Sequence, residues 1–183
     1  MKKTTTAPLL YALLLVLISA SMLNAQTSPS SQPKYKDMVV LNPNAEKDIQ
    51  LVSDFLNALV SGHADDAGNF TANNYKGYGP GPNDSITIDS SISSWKTNYG
   101  RQTDRKINFV TESHTVTSGI YQGEWVSAWG DYTFTENGKD IRIPFQYTAH
   151  ITNGKIDKDI LYYDRLNVMQ TLGYKITPPG NGQ

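Results

Sequence analysis

Two Asn-Gly dipeptides, Asn137-Gly138 and Asn153-Gly154, constrain this chain more than any other feature, because each interrupts a run of alternating apolar and polar residues. A two-residue type I′ turn needs positive φ at both centres, which Asn and Gly tolerate, so Asn-Gly between alternating runs marks a β-hairpin. From Arg105 onward the residues are β-branched and aromatic with period two, which predicts strands over 106–117, 124–135, 140–152 and 155–164. Sequential hairpins make this sheet antiparallel.

The turns also predict register. With each Asn-Gly pair at the centre of its loop, Phe134 faces Ile141 and Ala128 faces Tyr147. In the second hairpin Ile151 faces Ile156, Tyr147 faces Ile160, Phe145 faces Tyr162 and Ile143 faces Asp164. Directly paired residues share a face. One face then collects Val126, Ala128, Gly130, Tyr132, Phe134, Ile141, Ile143, Phe145, Tyr147, Ala149, Ile160, Tyr162 and Asp164, apolar apart from phenol hydroxyls and one carboxylate. The opposite face carries Trp125, Trp129, His150, Asp157, Asp159, Leu161 and Tyr163 among polar residues. Its exposed aromatic area predicts a homodimer through Trp125, Trp129 and Tyr163.

Upstream, Ile49, Val52, Phe55, Leu56, Leu59 and Val60 recur at helical spacing, predicting an amphipathic helix Ala45–Ser61 with Asn44 as its cap and Gly62 past its end. A shorter helical piece is expected over Ala64–Phe70, and a third helix over 87–98 with Ile92 and Trp95 on its inner face. Between them the Gly/Pro-rich run 75–82 breaks regular structure and reads as the rim or lid of a pocket lined by Tyr75 and Tyr78. Helices followed by a curled antiparallel sheet make an α+β domain. Small residues at Ala128, Gly130 and Ala149 leave room between the layers, and Trp95, Tyr132, Phe145, Tyr147 and Tyr162 are the expected ligand-lining aromatics.

The start of the chain has the pattern of an export signal: Lys2 and Lys3, an apolar run over 9–20, and a small residue at Ala25, the expected cleavage point. The organisation that follows is a signal peptide (1–25), a disordered leader (26–37), one domain (38–176) and a flexible tail (177–183), secreted or periplasmic and free of the membrane after cleavage. The chain has no cysteine, so neither a disulfide nor a lipidated cysteine contributes. The 16 Lys/Arg and 17 Asp/Glu residues nearly cancel and form no basic cluster, which gives no footprint for nucleic acid. A small molecule of little charge is the expected partner.

Asp164 is the sharpest candidate, a carboxylate ending a strand among aromatics, where burial would raise its pKa and suit proton transfer. It is equally well placed to cap the segment that follows. His150 is the candidate second group, although strict register puts it opposite Asp157 on the other face. The 3 histidines share no metal-ligand spacing, and nothing in the sequence calls for a cofactor.

Gly154-Lys155-Ile156, the strand-ending Asp164 and Gln170-Thr171-Leu172-Gly173 together resemble the SnoaL-like branch of the NTF2-like superfamily, with Thr171 inserted into the family's Gln-Leu-Gly. The resemblance extends over residues 45–174. It implies a cone-shaped α+β domain whose curved sheet wraps the N-terminal helices around a pocket, often as a dimer. It also implies that Asp164 occupies the acid/base position of the catalytic cyclases. The superfamily holds pocketed members without chemistry as well, so the main readings are a binding domain for an apolar or aromatic small molecule and a cofactor-independent isomerase, cyclase or dehydratase using Asp164, with a purely structural dimeric module whose cone is filled as the third.

Overall fold

The computed structural model describes residues 34–175 and 177. The expected signal peptide, most of the leader and most of the tail lie outside these residues. After one helical turn, Tyr35–Met38, the elements in chain order are β1 (Val39–Leu41), α1 (Ala45–Ser61), a 3-10 helix (Ala64–Phe70), β2 (Thr71–Tyr78), β3 (Ser85–Ile86) and α2 (Ile88–Tyr99). The long strands β4 (Thr103–Val116), β5 (Gly123–Glu136), β6 (Lys139–Thr152) and β7 (Lys155–Tyr163) follow, and α3 (Arg165–Leu172) comes last. This is an α+β fold with helices packed on a curved, unclosed sheet.

Helix α1 forms where its apolar spacing predicts it. Val52, Phe55, Leu56, Leu59 and Val60 are buried on one stripe, each contributing about 1.5–3 kcal/mol for the larger side chains. Its ends are satisfied by tertiary partners. Asn44 stands at the N-cap position without a capping bond; its amide instead donates to Glu124 Oε1 at 2.8 Å. The orphan carbonyls of Leu59 and Val60 accept from the Tyr99 hydroxyl at 2.5 Å and the Arg105 Nε at 3.1 Å, so α2 and β4 close the end of α1.

The sheet has seven strands in the order β1-β4-β5-β6-β7-β2-β3. Both Asn-Gly turns have positive φ at both residues, as type I′ requires. The β5–β6 register is the one read from the sequence, including Phe134↔Ile141 and Ala128↔Tyr147. Three short strands go beyond the four expected, and β2 runs parallel to β7, which makes the sheet mixed. The segment read as irregular from Tyr75 is thus in part a strand, because Tyr75 and Gly77 bury their inner faces against β7 while Lys76 and Tyr78 point outward.

The β6–β7 hairpin departs from strict alternation. Ile151 pairs with Ile156, but His150 pairs with Lys158, so Asp157 is a bulged residue without a partner. Beyond it every side chain changes face: Asp159, Leu161 and Tyr163 pair with Ala149, Tyr147 and Phe145 on the concave side, and Ile160 and Tyr162 turn outward. The reason lies in Lys158. Strict alternation would set its ammonium between Ile156 and Ile160 inside the core, whereas the bulge lays it 5.1 Å over the convex-face ring of Trp125.

Gly130 lies where β5 comes close against β4. A Cβ there would meet the Asn108 carbonyl oxygen of β4 at 1.9 Å, so only glycine lets the two strands approach as the sheet curves.

Candidate functional site

The bulge carries Asp159 into the concave wall, where it is 5 % exposed. The Tyr75 hydroxyl, from β2, donates to its Oδ2 at 2.6 Å, and the Tyr147 hydroxyl, from β6, donates to the same oxygen at 2.8 Å. Phe55 of α1 lies against both phenols, with ring centroids 6.3 Å and 6.2 Å away. Gly77, paired with Asp159 across the parallel ladder, makes the approach possible: a Cβ on it would stand 2.9 Å from Asp159 Oδ1 and 2.9 Å from the Tyr75 hydroxyl.

Burial pushes the Asp159 carboxyl up to about 6, opposed by the hydrogen bonds from Tyr75, Tyr147 and the Tyr78 backbone. The same burial, with the neighbouring carboxylate, pushes the Tyr75 and Tyr147 phenols far above their ordinary range, so both stay protonated as donors. A carboxyl raised toward neutrality beside two fixed donors has the electrostatic character of a proton-transfer group, here enclosed among Tyr75, Tyr147 and Phe55.

Around this cluster the concave wall divides. Val126, Ala128, Tyr147, Ala149, Ile151 and Ile156 are closed off beneath α1. Farther along the strands, Phe109, Tyr132, Ile143, Phe145 and Leu161 remain half-buried, and Ile88, Ile92 and Trp95 of α2 face the same cluster half-buried. Trp95 meets Tyr132 edge-on at 5.6 Å, and the Tyr132 hydroxyl is held by Gln102 Oε1 at 2.8 Å. Two cavities open on the surface, about 280 Å³ between β6 and α3 and about 310 Å³ beside Leu51 and Phe70; Asp159 lines neither.

Of the residues expected in the site, Tyr75, Tyr147, Tyr132, Phe145 and Trp95 belong to this wall. Tyr78 sits at its rim, 36 % exposed, and Tyr162 is on the convex face, 56 % exposed, because the bulge inverted it. Asp164 does not point into the cone. It is exposed, and its Oδ1 accepts from the Asn167 N–H at 2.8 Å as the N-cap of α3, an interaction worth about 1 kcal/mol. His150 stays on the convex face, bonded through Nδ1 to Asp157 Oδ1 at 2.7 Å and packed 4.8 Å from Trp125. Asp159 was missed because strict alternation faced it outward; the Lys158 conflict was the signal that could have found it. Among the described residues, no group of three or more His, Cys, Asp or Glu side chains is placed to hold a metal ion.

No protein-family profile and no curated protein matches the sequence. Solved structures do match the fold. A candidate SnoaL-like polyketide cyclase from Shewanella putrefaciens CN-32 superposes with a TM-score of 0.56 at 15% identity over 70% of this chain and 98% of that one. A hypothetical protein with a ketosteroid isomerase-like fold from Catenulispora acidiphila DSM 44928, solved with trimethylamine, gives 0.54 at 15% identity over 70% and 98%. An epoxide hydrolase of LEH-like type from M. tuberculosis gives 0.50 at 17% identity over 71% and 92%. The chain therefore has the NTF2-like fold that these structures share.

Proposed function

We propose that this protein is an exported NTF2-like domain that binds an apolar or aromatic small molecule between α2 and the concave face of the sheet. The observation that carries this reading is the half-buried wall of Trp95, Phe109, Tyr132, Phe145 and Leu161, aromatic and apolar area at the margin of the core on the inner side of the fold. Export rests on the signal pattern of residues 1–25. The protomers pair through the convex face of the sheet.

A second reading is favoured by one observation, the Asp159 carboxyl raised to about 6 between two phenol donors. In that reading the domain is a cofactor-independent isomerase, cyclase or dehydratase in which Asp159, in place of Asp164, exchanges the proton. The candidate cyclases and the epoxide hydrolase among the structural neighbours support it at the level of the fold.

The binding reading is tested with the neutral dye N-phenyl-1-naphthylamine. Its fluorescence should rise saturably with one site per chain, and Phe145→Ala should weaken binding about tenfold, the scale of one lost apolar contact. Trp129→Asp, on the convex face, should leave it unchanged. A response that does not saturate, or one that follows Trp129 rather than Phe145, overturns the proposal.

A further inference from the structure

We propose that α3 is a hinged lid over the concave cleft, so that its opening sets the rate at which the ligand of the proposed binding site enters and leaves; the role as a gate rests on that binding reading. Four observations converge on this helix. None of its eight residues is buried, although it ends a well-packed domain. Its two ends are closed by their own caps, Asp164 at the N-terminus and Gly173 at φ 102° at the C-terminus, so its terminal backbone groups do not depend on neighbouring elements. It is tied to the rest of the molecule at its extremities: Arg165 Nη1 stands 4.0 Å from Asp84 Oδ2 in the β2–β3 loop, and the Lys139 ammonium, at the β5–β6 turn, donates to the Thr171 carbonyl at 2.7 Å. Beneath it, the cavity of about 280 Å³ separates it from β6 and is lined by Ile143 and Pro144 on one side and Asn167 and Val168 on the other.

Ile143 is the residue that this cavity shares with the concave wall. Ile143 shares the concave face with Tyr132, its cross-strand partner, and with Phe145, two residues along the same strand. Chain continuity supplies the hinge, since Asp164 follows directly on Tyr163, the last residue of β7. A helix with little buried apolar area, held by exposed ionic ties, belongs to the part of a fold that opens most readily.

Thiol labelling tests this without any ligand, since the chain has no cysteine of its own. Ile143→Cys places a reporter under the helix, and Val110→Cys places a control on the convex face. Adding Lys139→Ala and Arg165→Ala should raise the labelling rate of Ile143→Cys by 5,5′-dithiobis(2-nitrobenzoate) several-fold and leave that of Val110→Cys unchanged. Val168→Cys, on the other wall of the same cavity, should respond like Ile143→Cys and replaces it if that variant does not fold. In the same Lys139→Ala/Arg165→Ala background, the naphthylamine dye should associate and dissociate several-fold faster with little change in affinity. Equal labelling rates in both backgrounds overturn the lid. A parent protein that binds no dye overturns the binding reading instead, and the labelling comparison still decides whether the helix opens.

Discussion

A carboxylate set in an apolar wall and bonded by two phenols is under opposed forces, and at Asp159 burial is the larger. Its folded pKa of about 6 lies above the ordinary 3.8, so the folded state prefers the protonated form. The stability this group confers is therefore fully present below pH of about 4, falls as pH rises toward 6, and is level above that; the shift corresponds to about 3 kcal/mol. Asp159→Asn keeps an acceptor for the phenols but no longer titrates. The stability difference between the variant and the parent, followed by chemical denaturation, should move in the variant's favour by about that amount between pH 3.5 and pH 7. A difference that stays constant over this range would show that Asp159 does not carry the raised pKa. Asp164 provides the contrast: the same residue type, exposed and spent on a helix cap, with its hydrogen bond made to a backbone N–H.

Among the elements, the bulged β7 and the parallel β2 are the pair that build the site. The bulge turns Asp159 inward, and β2 delivers Tyr75 and leaves Gly77 opposite the carboxylate. Gly77 has three atoms around the place a Cβ would take, Asp159 Oδ1 and the Tyr75 hydroxyl at 2.9 Å and Ile86 Cγ2 at 3.0 Å. Gly77→Ala must push the carboxylate and the phenol apart, at a cost of about 1–3 kcal/mol, the scale of an overpacked core. Thermal unfolding should show that loss, and a crystal structure or the pH dependence of stability should show a changed Tyr75–Asp159 bond. An alanine variant as stable as the parent, with the pH profile intact, would mean that the strands have room to separate and that the glycine does not hold the geometry.

At the scale of the whole molecule, the convex face of the sheet poses the question of assembly. The sequence expectation paired protomers through Trp125, Trp129 and Tyr163, and two of these are placed otherwise. Trp125 is 5 % exposed, its ring packed by Tyr121, His150 and Lys158 of its own chain, and Tyr163 is on the concave side. A different row remains. Val110, Trp129, Gln146 and Tyr162 are neighbours across β4, β5, β6 and β7, with Val110 56 %, Trp129 42 % and Tyr162 56 % exposed. Three exposed apolar side chains, with Gln146 between two of them, on an open sheet face suit a self-complementary contact. Sedimentation should find a homodimer at tens of micromolar, roughly the range where weak association becomes visible, and Trp129→Asp should shift it toward monomer. A parent protein that sediments as a monomer at that concentration would remove the convex face as a dimer interface.

The sequence by itself determined the elements whose cause is local. Helix α1 follows from the spacing of Val52, Phe55, Leu56 and Leu59, and the β5–β6 hairpin from Asn137-Gly138, because side-chain period and turn chemistry act over a few residues. The aromatic character of the wall was legible for the same reason, and the NTF2-like fold through the resemblance carried by Gly154-Lys155-Ile156, Asp164 and Gln170-Thr171-Leu172-Gly173. What only the tertiary structure decided is which carboxylate is inside. That choice turns on Asp157 bulging so that Lys158 reaches Trp125 and Asp157 reaches His150, contacts between β7 and the convex ends of β5 and β6. It turns also on β2 lying parallel to β7, a pairing between segments far apart in the chain for which no turn motif exists. A shift of one residue in a strand inverts every face beyond it, so the bulge at Asp157, with its contacts on one side of the sheet, moved the candidate carboxylate on the other side from Asp164 to Asp159.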